Sequence, residues 1–134
     1  MLMPSIDRYM TRQPWTIRRT ARLTAAQQIM REHHIRHLPV LEGGKLVGVV
    51  SERDLDLLGR VFREDPSDLS VEDAMTQDVY GATADTPADQ VLDHMAERKL
   101  GSCVVMDRLG GVAGIFTTVD ALEVFSELLR RETA

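Results

Sequence analysis

The sequence predicts an α+β fold of α/β-like character, built from two tandem copies of one β-α-β-β-α unit. Three observations predict it. A seven-residue pattern occurs twice: Gly48-Val49-Val50-Ser51-Glu52-Arg53-Asp54 returns as Gly114-Ile115-Phe116-Thr117-Thr118-Val119-Asp120. The similarity extends upstream at a constant spacing, with Met10-Thr11 returning as Met75-Thr76, Met30 as Met95, and Pro39-Val40 as Val104-Val105. Short apolar runs alternate with segments of helical period in the same order in both copies. One copy alone buries too little surface to be stable, so the copies are expected to pack together.

The elements follow from local pattern. Trp15-Thr16-Ile17 is a short extended stretch after Pro14. The helix after it places Leu23, Ala26, Ile29 and Met30 on one face. Thr24-Ala25-Ala26-Gln27 resembles a capping box, but alignment with Asp85-Thr86-Pro87 puts the helix start near Thr20 or Ala21, and the repeat is the better guide. His37 to Leu41 and Lys45 to Val50 read as strands joined by a turn at Gly43-Gly44. A helix opens at Ser51 with Leu55, Leu58, Val61 and Phe62 on one face. The bridge from Arg63 to Leu69 is polar and contains Pro66. Ser70-Val71-Glu72-Asp73 opens a brief helix, as Pro4 to Arg8 does before the first copy. In the second copy Thr86 to Arg98 is helical. Ser102 to Asp107 and Val112 to Thr117 are strands around Gly110-Gly111. Thr118 to Arg131 is a helix carrying Leu122, Phe125 and Leu129. The copies are expected to occupy residues 5–69 and 70–134.

Bulk properties bound the function. The chain has 134 residues, of which 43% are hydrophobic and 28% charged, which is ordinary for a folded protein. Its net charge of -5 disfavours a sequence-blind grip on nucleic acid. No apolar run is long enough to span a bilayer, and the first residues lack the pattern of a secretory signal. The single cysteine, Cys103, has no partner for an internal disulfide, so a reducing, cytoplasmic setting is expected. Cys103 lies in an apolar run and reads as a core residue rather than a nucleophile. No nucleophile–base pair, carboxylate dyad or glycine-rich phosphate loop stands out, so no catalytic residue is assigned.

The repeated pattern has two physical readings. A hydroxyl and a carboxylate three residues apart at a strand-to-helix junction form a capping box. The same aspartate, with two acceptor oxygens, suits the adjacent hydroxyls of a ribose, while the helix N-terminus favours an anion. The two roles are compatible if Ser51 caps while Asp54 turns outward. The leading Gly48 and Gly114 leave room for a ligand to approach the backbone.

The copies differ around the pattern. Arg53, Arg36 and His37 belong to the first; Val119, Gly101 and Ser102 replace them in the second. A preference of the first copy for phosphorylated ligands is one reading, and solvated surface charge is the other. Trp15 aligns with Tyr80, and packing is the expected role of both rings, with contact to an adenine face as the rival. The histidines of His33-His34-Ile35-Arg36-His37 straddle a helix exit, so their rings should diverge and no metal site is expected. Met10, Met30, Met75 and Met95 read as core filler.

Met10-Thr11, Met75-Thr76, His37-Leu38-Pro39-Val40 and both Gly-apolar-apolar-Ser/Thr-x-x-Asp patterns together resemble the CBS domain family, named for cystathionine β-synthase. The resemblance covers almost all of residues 5–131, as a tandem pair or Bateman module. It implies two units packed through their sheets with pseudo-two-fold symmetry. It implies a regulatory module binding AMP, ADP, ATP or S-adenosylmethionine between the units, with no required cofactor. It also implies a homodimer and a regulated partner protein; neither membrane nor nucleic acid is expected. The ligand-binding positions it implies are Thr16, Ile17, Arg36, His37, Leu38, Pro39, Gly48, Val50, Ser51, Arg53 and Asp54 in the first copy. In the second they are Gly81, Ser102, Cys103, Gly114, Phe116, Thr117 and Asp120. The alternative is a ligand-free dimerisation module.

Overall fold

The computed structural model describes residues 2–61 and 68–133. A 3-10 turn at Ile6–Arg8 precedes β1 (Thr11–Arg12) and β2 (Ile17–Arg18). Helix α1 (Leu23–His33), the hairpin of β3 (His37–Glu42) and β4 (Lys45–Ser51), and α2 (Glu52–Val61) complete the first copy. The second runs through α3 (Val71–Ala74), β5 (Gly81–Thr83), α4 (Ala88–Arg98), β6 (Ser102–Met106), β7 (Val112–Thr117) and α5 (Thr118–Thr133). Phe62 and residues 63–67 of the expected bridge lie outside the described residues.

The strands form two sheets, ordered β2-β3-β4 and β1-β7-β6-β5. Each has the same grammar. A short strand lies parallel to the next one in the chain, β2 on β3 and β5 on β6, because a helix crosses over between them. A tight hairpin then adds an antiparallel strand. Gly43 and Gly44 turn the first hairpin at φ +57° and +79°, conformations that suit glycine.

The compact units are not the sequence halves 5–69 and 70–134. One, the Ser51 unit, comprises Pro14–Val79 with Leu109–Gly111; the other, the Thr117 unit, comprises Met1–Gln13, Tyr80–Arg108 and Val112–Ala134. The segment before each copy's first strand packs on the other copy's last strand. Thr11 pairs with Ile115 in an antiparallel ladder, and Thr76 pairs with Val49. The Val49–Thr76 bridge is closed in both directions at 3.0 and 2.9 Å.

Each unit has its own apolar core. In the Ser51 unit Leu23, Ala26 and Met30 of α1 meet Leu38, Val40, Val50, Leu55 and Val71. In the Thr117 unit Ile6, Met10, Val91, Met95, Cys103, Val105 and Phe116 do the same work. No polar or charged side chain is fully buried among the described residues.

Helix α1 starts at Leu23, two or three residues after the expected Thr20 or Ala21, and the apparent box at Thr24 is unused. Arg22 at the N-cap makes no side-chain cap bond, just as Pro87 makes none at the aligned start of α4. Both helices end on a left-handed residue that is not glycine, His34 and Lys99, each at φ +54°. In both, the next amide bonds back to a helix carbonyl, Ile35 to Met30 and Leu100 to Met95, so the end is a Schellman closure. Ser70 caps α3, its N–H donating to the Asp73 carboxylate at 2.9 Å. No residue of α5 is buried: Leu122, Phe125 and Leu129 are 69%, 60% and 46% exposed.

Candidate functional site

Both repeated patterns close as capping boxes. Ser51 is the last residue of β4, and Glu52 opens α2. The Ser51 N–H donates to Asp54 Oδ2 at 2.9 Å, and the Asp54 N–H donates back to Ser51 Oγ at 3.1 Å. In the second copy the Thr117 N–H donates to Asp120 Oδ2 at 2.8 Å, and the Asp120 N–H donates to Thr117 Oγ1 at 3.3 Å. The Thr117 hydroxyl adds a 3.1 Å bond to the same Oδ2. The capping reading is therefore realised twice, and Asp54 is folded back over the helix start instead of turned outward. One carboxylate oxygen carries this work in each case. Oδ1 of Asp54 and of Asp120 makes no hydrogen bond among the described residues.

The two boxes have unlike neighbours. In the β3–β4 ladder Ser51 faces His37, whereas in the β6–β7 ladder Thr117 faces Ser102. The Glu52 N–H donates to the Arg36 carbonyl at 2.8 Å, which fixes Arg36 beside the start of α2; Gly101 receives Thr118 at 3.1 Å in the same way. His37 is half-buried, and Arg36 and Arg53 are exposed. Burial lowers the His37 pKa below the usual histidine value; the Asp54 charge works against this and the Arg36 charge adds to it. Thus one box sits among a histidine and two arginines of its own unit, and the other among Gly101, Ser102 and Val119.

Several expected contact residues have buried side chains. Leu38 and Val50 are fully buried in the core of the Ser51 unit, as is Pro39, and Cys103 and Phe116 lie in the core of the Thr117 unit. Their side chains are spent on packing, so only their backbones could meet a ligand. Burial pushes the Cys103 thiol up to about 11, which removes it as a nucleophile. The space above Gly48 is filled by the chain itself. A Cβ there would lie 2.7 Å from Met75 Sδ and 2.9 Å from the Thr76 carbonyl oxygen. Above Gly114 it would meet Met10 Sδ at 2.5 Å and the Thr11 oxygen at 2.9 Å. These glycines admit the Met-Thr segment. Gly81 is exposed at the start of β5, with Met106 Sδ 2.8 Å from its Cβ position.

Thr16 and Ile17 border a cavity of about 630 Å³ formed by residues 16–20 and 41–44 of the Ser51 unit. Ile17 stands opposite Val40, three residues beyond His37, so this border lies roughly 10 Å along the strand from the box. Arg19 at its rim is neutralised by Glu42 and Glu72, each at 2.8 Å.

Three contributions escaped sequence reasoning. The Met-Thr pairs were visible as repeats, yet their partner strands were not. Trp15 stacks on His33 at 3.9 Å, and Tyr80 stacks on His94 at 3.8 Å, so each ring packs on a histidine of the following helix. With His33 stacked, His34 exposed and His37 facing Ser51, the histidine run diverges; no group of three metal-ligating side chains occurs among the described residues.

The family model for the CBS domain matches residues 6–57 and 71–127. The chain belongs to the CBS domain family. Its closed repeats are a CBS pair, a Bateman module. It is similar to the inosine-5'-monophosphate dehydrogenase of Korarchaeum cryptofilum, at 36% identity over 95 residues, 71% of this chain and 19% of that enzyme. The chain spans 19% to 36% of the length of the first curated relatives it matches. Among solved structures, a candidate acetoin utilization protein (AcuB) from Vibrio cholerae superposes with a TM-score of 0.87 at 29% identity, covering 99% of this chain and 98% of that one. The CBS domain pair of protein MJ0100, in complex with 5'-methylthioadenosine and S-adenosyl-L-methionine, gives 0.81 at 25% identity, covering 94% and 98%.

Proposed function

We propose that this CBS pair is a regulatory module that senses an adenosine-containing ligand and performs no chemistry of its own. The observation that carries the reading is the half-used carboxylate at each box. Oδ2 of Asp54 and Asp120 holds the helix start, while Oδ1 makes no hydrogen bond among the described residues. Two adjacent ribose hydroxyls supply donors for that oxygen, so a nucleoside binds without uncapping the helix. The complex of the MJ0100 pair with two adenosyl compounds supports the same ligand class here. AMP, ADP, ATP and S-adenosylmethionine all fit the class, and no cofactor is required. The mechanism is a population shift: a bound ligand favours one arrangement, and a regulated partner protein reads it. The buried, single thiol suits a cytoplasmic setting.

A thermal-shift panel of AMP, ADP, ATP and S-adenosylmethionine tests this. A ligand at about a hundred times its dissociation constant stabilises by roughly 2.7 kcal/mol, a midpoint rise of several degrees. That rise should vanish in the Asp54→Ala, Asp120→Ala double variant. No shift with any of the four overturns the reading.

A second reading, a dimerisation module without a ligand, is favoured by the exposed apolar face of α5. Val119, Leu122 and Phe125 are 53%, 69% and 60% exposed, more apolar surface than a lone helix usually shows water. A homodimer through this face is also compatible with ligand sensing, so the panel and not the oligomeric state separates the two readings.

A further inference from the structure

We infer that the Ser51–Asp54 box takes up a proton at His37 when it binds a phosphate-bearing nucleoside, and that the Thr117–Asp120 box binds without proton exchange. The inference rests on the adenosine reading above and specifies how one of the two motifs selects within that class.

The geometry begins with the ladder. His37 and Ser51 are paired residues, so the imidazole stands beside the capping hydroxyl and the first turn of α2. The charged groups whose fields reach it are Asp54, from the start of α2, and Arg36, its neighbour on the same strand. β4 contributes the uncharged Ser51 at this level. Half-burial keeps the ring neutral at neutral pH, since desolvation outweighs the Asp54 carboxylate. A ribose bonded to Asp54 leaves its 5' substituent near the helix N-terminus, where the Arg36 carbonyl accepts from the Glu52 N–H and Arg53 lies exposed in the first turn of α2. A phosphate there is dianionic above about pH 7, because its second ionisation lies near 6. An opposite charge within a few ångströms favours the protonated imidazole, so the ring charges as the anion arrives. A neutral nucleoside supplies no such field and leaves His37 unprotonated.

The second copy is a built-in control. Ser102 occupies the position of His37 opposite Thr117, Gly101 that of Arg36, and Val119 that of Arg53. Nothing among these three titrates near neutrality. The duplication has thus kept the box and exchanged its charged surroundings.

Calorimetry with AMP and with adenosine, between pH 7.0 and 8.5 in buffers of different ionisation enthalpy, tests the inference. An Asp120→Asn background isolates the Ser51 box. Expected is net proton uptake with AMP and none with adenosine, the AMP affinity falling by up to about tenfold per pH unit. His37→Gln, which mirrors the neutral second copy, should remove both the uptake and the pH slope, and an unchanged circular dichroism spectrum and urea midpoint at pH 8 show that the variant is folded. Binding of both compounds without uptake, or uptake that survives His37→Gln, overturns the inference and leaves the adenosine reading standing. Failure of both compounds to bind removes the adenosine reading, and this inference with it.

Discussion

Replacing Gly48 by alanine separates two explanations of the glycine that opens each repeated pattern. The new Cβ would lie 2.7 Å from Met75 Sδ, 3.1 Å from Met75 Cγ and 2.9 Å from the Thr76 carbonyl oxygen. The methionine can swing aside. The carbonyl is backbone, tied to Val49 by the 3.0 Å bond, with a 2.9 Å return bond from the Thr76 N–H. Ordinary contact needs about 0.5 Å of retreat, which stretches both bonds at once. Overpacking of this kind costs about 1–3 kcal/mol, and weakening two backbone bonds adds roughly 1 kcal/mol. The stiffer unfolded chain returns about 0.5–1 kcal/mol. The net expectation is a loss of about 2 kcal/mol in urea denaturation of the ligand-free protein. Gly59→Ala is the control, because nothing lies within 4 Å of its Cβ position in α2; it should stabilise by about 0.5–1 kcal/mol. Adding Met75→Ala to Gly48→Ala should rescue only the side-chain part. If Gly48→Ala leaves ligand-free stability within about 0.5 kcal/mol of wild type while abolishing AMP binding, the glycine serves the ligand and the steric argument is wrong.

Native Cys103 should resist a thiol reagent at pH 8, reacting at the rate of unfolding, since the thiol is fully buried and its pKa is pushed to about 11. The lowered His37 value means that the unfolded chain binds its proton first on acidification, so this residue should reduce stability as pH falls below about 6.5 and have no effect well above it. The difference between wild type and His37→Gln across pH 5 to 8 measures it. His34→Gly and Lys99→Gly should each stabilise by about 1 kcal/mol in denaturant, because both sites hold a left-handed backbone that glycine adopts without strain. If α5 carries the proposed homodimer, Leu122→Glu with Phe125→Glu should give a monomer in sedimentation while leaving its fold intact, as neither side chain is buried.

What the sequence made legible was whatever depends on near neighbours. The Gly43-Gly44 turn, the apolar runs of β3 and β6, and the inward faces of α1 and α4 all declare themselves within a few residues. The expected start of α1 was early because Arg22 caps nothing, so no side-chain signal marks it. Thr11-Arg12 gave no strand signal, being two exposed residues whose partner is Ile115-Gly114. The same long-range pairing explains why cutting the chain between its copies misses the compact units: Met10-Thr11 and Met75-Thr76 each belong with the other copy's final strand. Helical period revealed the stripe Leu122, Phe125, Leu129 but carries no information on what covers it, and nothing among the described residues buries it. At the candidate site the motif residues form the two caps, whereas the side chains of Leu38, Val50, Cys103 and Phe116 are core. They alternate along strands with positions that face outward, and motif similarity alone does not resolve that alternation.

The two capping boxes also explain why a duplicated site could diverge without losing the fold. The structural duty of each aspartate rests on Oδ2 and on backbone amides, and it is met equally well by Ser51 and by Thr117. The residues that set charge around the box, Arg36, His37 and Arg53, hold no core position and form no part of the cap. Replacing them by Gly101, Ser102 and Val119 therefore costs the fold little while removing the cations from that motif. Stability constrains the hydroxyl, the aspartate and the glycine that admits the Met-Thr segment, while the charge around each box is left free to vary.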